Sequence, residues 1–146
     1  MTNEIKGGKI MEKEKFETLK EMYEESLENN QDIIKPSTIY TDKKEKTRDL
    51  IRLVKLFDGY NDGKSTGDTV AYVCENKEII KYIKSNPRNK GLIHLRTVKQ
   101  VINSYALDGL DLQSIIIDNI SYEDYKKISS MYGGICNVFG IFKEEK

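Results

Sequence analysis

From Val70 to Phe142 the chain alternates strand-like and helix-like segments, and no other feature narrows the possible folds so far. Apolar runs at Thr69 to Cys74, Leu92 to Leu95, Ile115 to Asp118 and Ile135 to Phe142 have strand length and no polar alternation. Strands that are apolar on both sides need cover on both faces, which a parallel sheet between helix layers provides. The intervening segments carry helical stripes: Ile79, Ile80 and Ile83, then Val98, Val101, Ile102 and Tyr105. Start and stop signals frame them. Asn76 and Ser121 stand at N-cap positions, Thr97 with Gln100 forms a capping box, and Gly109 and Gly133-Gly134 end helices. The expected fold is α/β: a small, mostly parallel sheet of about four strands flanked by helices, with an N-terminal helical extension. In such sheets ligands bind beyond the carboxyl ends of the strands, so Asp118, which ends an isoleucine run, marks where a site is expected.

The first third of the chain has a different character. Phe16, Leu19, Met22, Tyr23 and Leu27 fall at helical spacing among glutamates, predicting an acidic amphipathic helix from Glu12 to Asn29. Asn29, Asn30 and Lys35-Pro36-Ser37 then read as a linker. A second helix is predicted from Asp42 to Phe57, with Leu50, Ile51, Val54 and Phe57 on one face and Arg48, Arg52 and Lys55 on the other. A buried strand over Leu50 to Phe57 fits the same apolar run. The chain thus divides into residues 1–41, tail and acidic helix, and residues 42–146, the α/β domain. Lys6-Gly7-Gly8-Lys9-Ile10-Met11 back-translates to an A-rich run, GGAGG, a spacer and ATG, the layout of a bacterial ribosome-binding site, so translation is expected to start at Met11, or else residues 1–10 form a short tail. Richness in Lys, Ile, Asn and Glu points to a low-GC Gram-positive bacterium or its bacteriophage.

A chain of 146 residues with 38% apolar and 33% charged residues is one domain by the usual prior. No stretch approaches the roughly 18 apolar residues of a membrane span, and the first ten residues have no apolar core for a secretion signal, so a cytoplasmic location in a bacterial host, with no membrane partner, is expected. Cys74 and Cys136 lie in apolar runs without ligand-spaced partners and read as buried reduced thiols; His94, the only histidine, reads as a packed residue.

Within the turn-rich stretch from Asp58 to Asp68 lies Gly63-Lys64-Ser65-Thr66. Here the chain resembles the P-loop NTPases, whose GxxxxGK[ST] motif wraps backbone amides around phosphates, with lysine at the terminal phosphates and the hydroxyl on magnesium. The layout of the following strands and helices is similar to a RecA-like or helicase-like core, in which an apolar strand ending in aspartate is the Walker B element. That resemblance implies ATP or GTP with magnesium as cofactor, Gly63, Lys64, Ser65 and Thr66 at phosphate, and Asp118 at the metal. The chain departs from the pattern in three places. Asp58 stands where the first glycine belongs, three residues separate the motif from the next strand instead of a helix, and Asn119 replaces the acid that usually follows the aspartate.

Total charge is balanced, 24 basic against 24 acidic residues, but Lys77, Lys81, Lys84, Arg88, Lys90, Arg96 and Lys99 give the middle of the chain a basic run suited to phosphates or an acidic partner. The expected function is therefore that of a non-catalytic P-loop-like binding module engaging a host or phage protein or a nucleic acid. One alternative is a nucleotide-dependent ATPase using Gly63-Lys64-Ser65 and Asp118. Another is a structural or virion assembly component acting through the acidic helix.

Overall fold

In the computed structural model, which describes residues 12–29, 31–36, 40, 42–58 and 69–142, the apolar runs pair into one parallel sheet. Its strands are β1 (Ile33–Pro36), β2 (Thr69–Cys74), β3 (Leu95–Thr97), β4 (Leu112–Asp118) and β5 (Asn137–Phe142), in the order β3-β2-β4-β5-β1. The helices are α1 (Glu12–Glu28), α2 (Lys43–Phe57), α3 (Lys77–Lys84), α4 (Val98–Ser104) and α5 (Tyr122–Tyr132), with a 3-10 turn at Pro87–Asn89. The fold is α/β.

All six residues of β2 are buried, which explains their lack of alternation. One side of the sheet, with Tyr72, Ile116 and Phe139, packs against Leu19 and Tyr23 of α1, Leu50, Leu53 and Val54 of α2 and Ile83 of α3. The other side, with Ala71, Val73, Ile115, Ile117 and Val138, is covered by Val98 and Val101 of α4 and Tyr125, Ile128 and Tyr132 of α5. The predicted caps form. Asn76 accepts from the amides of Glu78 and Ile79, Thr97 and Gln100 close their box, and the Ser121 hydroxyl accepts from Asp124 N–H.

Three details differ from the sequence expectation. The sheet has a fifth strand, because Ile33–Pro36 pairs with β5 instead of forming a linker; a four-residue strand ending in proline is tolerated at an edge, where one flank needs no donors. That pairing, together with burial of Phe16, Leu19 and Tyr23, carries the N-terminal segment into the same sheet and core, so a division at residue 41 does not separate two packing units. The third strand begins at Leu95, later than the apolar run suggested, since Leu92 is spent filling the core ahead of it. Residues 43–57 are helical, which settles the helix-or-strand alternative.

Candidate functional site

In the order β3-β2-β4-β5-β1 the connections leave β2 in one direction and return to β4 on its other side, so the carboxyl ends of β2 and β4 form the switch point where open α/β sheets place ligands. The first turns of α2 cross this edge. β1 leads through residues 37–42 into α2, whose N-cap is Asp42, and Lys46 and Thr47 thereby reach the carboxyl ends of β4 and β5.

There they meet Asp118, which is fully buried. The Thr47 hydroxyl donates to Asp118 Oδ2 at 2.6 Å, and the Tyr72 hydroxyl donates to the same oxygen at 2.6 Å. Lys46 Nζ lies 3.5 Å from Asp118 Oδ1 and donates to the Ile141 carbonyl at 3.0 Å. Burial pushes the Lys46 ammonium below its ordinary pKa, and Asp118 opposes that shift. Burial also raises the Tyr72 phenol well above its usual value, with the Asp118 charge adding to it, so Tyr72 stays a donor. Asn119 follows with a left-handed φ of 56° and lines the crevice above.

Lys46 and Thr47 near the start of α2 and Asp118 at the end of β4 bring together a lysine, a hydroxyl and a carboxylate, the residue types that hold phosphate and magnesium in nucleotide sites. These residues, as arranged, do not fit a nucleotide with its metal. Lys46 is 2% exposed and engages Asp118 and a carbonyl, so its charge faces no open space. Two hydroxyls occupy the carboxylate oxygen a magnesium ion would need. Counting back from Lys46-Thr47, the motif's glycine positions hold Glu45 and Tyr40. Glu45 turns its carboxylate to Lys15, 3.0 Å away, and the Tyr40 hydroxyl donates to Asp49 at 2.6 Å. Sequence reasoning passed over Lys46 and Thr47 because no local pattern marks them; their place just inside a helix capped by Asp42 was the one signal available.

The sequence-predicted residues are dispersed. Gly63, Lys64, Ser65 and Thr66 lie outside the described residues. The elements on either side of them are α2 and β2, helix before and strand after, and Asp58 Oδ1 accepts from Val70 N–H at the amino edge of the sheet, opposite to Asp118. Lys77, Lys81 and Lys84 are exposed on α3, with Lys81 3.9 Å from Glu78, whereas Lys99 belongs to α4 on the other face. Lys90 is exposed after the 3-10 turn. The Arg96 guanidinium folds back on its own chain and donates to the carbonyls of Ile93 and Leu95 at 2.9 and 3.0 Å, shielding the open edge beside β3. Arg88 of the basic run joins a concave surface: a groove of about 580 Å³ between α2 and the α3 to 3-10 segment, where Arg48, Arg52 and Lys55 form the opposite wall. A second crevice of about 350 Å³, at the switch point, is lined by Lys43, Lys44, Glu75, Glu78 and Asn119 and shares Thr47 and Tyr82 with the first.

Burial raises the thiols of Cys74 and Cys136 to about 12 and about 11, and both are unbridged, as inert core residues should be. His94 is pushed below its ordinary value by burial first and by Arg96 second. Among the described residues no group of acidic, cysteine and histidine side chains could hold a metal ion, and no helix is long and apolar enough to cross a membrane. No protein-family model, curated protein sequence or solved structure matches this chain.

Proposed function

We propose that this chain is a non-catalytic P-loop-like binding module: a domain of nucleotide-binding plan whose phosphate and metal positions are filled by its own side chains and which engages another macromolecule. The observation that carries this reading is the buried set of Lys46, Thr47, Tyr72 and Asp118 at the switch point, in which two hydroxyls bond one oxygen of Asp118 and the Lys46 ammonium faces the other.

Calorimetric titration of the intact protein with ATP and with GTP, each with magnesium, together with a phosphate-release assay, tests the reading. The expected result is no binding in the micromolar range and no turnover. Micromolar binding that disappears in Lys64→Ala would overturn it in favour of an ATPase using Gly63, Lys64 and Ser65. Binding that persists in Lys64→Ala and disappears in Lys46→Met would overturn it in favour of a site at Asp118 that opens for nucleotide.

A further inference from the structure

The groove between α2 and the α3 to 3-10 segment has a single sign of charge among its described lining residues. Arg48, Arg52, Lys55 and Arg88 line it, and among the described residues that line it none is acidic. Beneath the two arginines lies Asp49, 1% exposed, with Oδ1 at 3.6 Å from Arg48 Nε and 3.5 Å from Arg52 Nη1. One buried carboxylate therefore braces two guanidinium groups that remain half exposed, while Lys55 is braced by Asn89 Oδ1 at 3.0 Å. Bracing lowers the entropy lost when a guanidinium grips a phosphate; Arg48 is held on a second side by Glu45 at 3.9 Å, an acid it shares with Lys15. The acidic helix α1 meets this cluster through an aromatic ring and a cation: Phe16 stacks on the Arg52 guanidinium, 3.9 Å from the ring centroid, and Lys15 pairs with Glu45. Opposite the cations stands Tyr82, 49% exposed, a large aromatic ring with the Lys44 ammonium 5.8 Å from its centroid.

We infer that this groove binds single-stranded nucleic acid, with phosphates along Arg48, Arg52, Lys55 and Arg88 and a base stacked on Tyr82. The inference rests on the reading of the chain as a binding module and names its partner. A cationic track facing an aromatic ring is the pairing that recognises unstacked bases, whose faces are exposed only in single strands. A duplex buries those faces and is read by elements that project into its grooves, not by a recess between two helices. The switch-point crevice, with Glu75 and Glu78 in its lining, is the less favourable end for a polyanion, so the strand runs along α2 toward Arg88.

Fluorescence anisotropy with a labelled oligothymidylate of roughly 16 nucleotides, titrated across salt concentrations, tests this. Binding is expected to weaken with salt, and Arg88→Ala to reduce the magnitude of the log–log slope by about 0.7, the share of one phosphate contact. Tyr82→Ala should weaken binding roughly tenfold with the slope unchanged. Both side chains are surface residues, and a circular dichroism melt of each variant establishes that it is folded. Equal affinity for a duplex of the same length, a silent Tyr82→Ala, or competition by polyglutamate as effective as by oligothymidylate would overturn the inference, the last assigning the groove to an acidic peptide. So would absence of binding. None of these outcomes touches the nucleotide titration, so a failed partner assignment and a failed reading of the module are separable.

Discussion

Asp118 ties the sheet edge together, because its buried carboxylate receives two hydroxyls and faces the Lys46 ammonium at 3.5 Å. Removing one partner of such a pair leaves the other charge buried and uncompensated. Asp118→Ala is therefore expected to destabilise the protein by about 3–5 kcal/mol, and Lys46→Met/Asp118→Ala by clearly less than the sum of the single changes, as read from urea unfolding. Additive losses would show that the two groups do not interact. The pH dependence follows from Lys46. Its folded-state pKa is lowered by burial, so between that value and the ordinary 10.5 the unfolded chain holds the extra proton. Stability conferred at this position rises with pH through that window, and the charged, buried form costs stability below it. The stability difference between wild type and Lys46→Met should shift in favour of wild type as pH rises toward 10, and a constant difference would sink the account. Asp118 was legible in the sequence because it ends an apolar run. Its partners were not: Lys46, Thr47 and Tyr72 are far away in the chain, and only the sheet order brings them together.

At the scale of elements, β5 shows how a strand can be read correctly while its packing is not. The residues from Asn137 to Phe142 are apolar enough to predict a strand, but Gly140 among them looks like a weak point, since glycine lacks a side chain to pack. In the structure the missing side chain is the space that the Tyr125 ring of α5 fills; a Cβ on Gly140 would fall within that ring. The close approach lets Tyr125 cross β5 and donate its hydroxyl to the Ile33 carbonyl at 2.8 Å, joining α5 to the edge strand β1. Gly140→Ala is thus expected to cost about 1–3 kcal/mol by displacing the ring. Tyr125→Phe should cost about 1 kcal/mol in the wild-type background and almost nothing in Gly140→Ala, where the hydrogen bond is already broken. Equal costs in both backgrounds would show that the glycine does not position the tyrosine. The same tie explains why β1 escaped prediction. Four residues ending in proline carry too little periodicity, and what holds them is β5 and a side chain from a helix more than ninety residues away.

For the molecule as a whole, the alternation of strands and helices fixed the class of fold, because each apolar strand demanded two covering layers. It did not fix how the N-terminal helix would be used. A helix with many glutamates and one apolar stripe serves equally well as an extension toward a partner or as a cover for a sheet, and hydrophobic periodicity is the same in both. The structure selects the second: Phe16, Leu19 and Tyr23 are buried, Tyr23 packs edge-on against Phe57 and Phe139 with centroids 4.8 and 5.4 Å away, and its hydroxyl bonds to Ser114 of β4. Asn137 of β5 donates its amide to the carbonyls of Ser26 and Gln31, fastening the turn that follows α1. Helix α1 is thus a structural layer over β5 and β1, and a role in assembly would have to use its outer, acidic face alone. A chain beginning at Met11 keeps every contact described for α1 and should match the full chain in melting temperature. One beginning at Gln31 exposes the apolar side of β4 and β5 and the Phe57 end of α2, and should lose cooperative melting and its near-ultraviolet dichroism. Retention of a cooperative transition by the chain beginning at Gln31 would show instead that α1 is an appendage to a sheet that folds without it, and would return the acidic helix to the role of a partner-seeking extension.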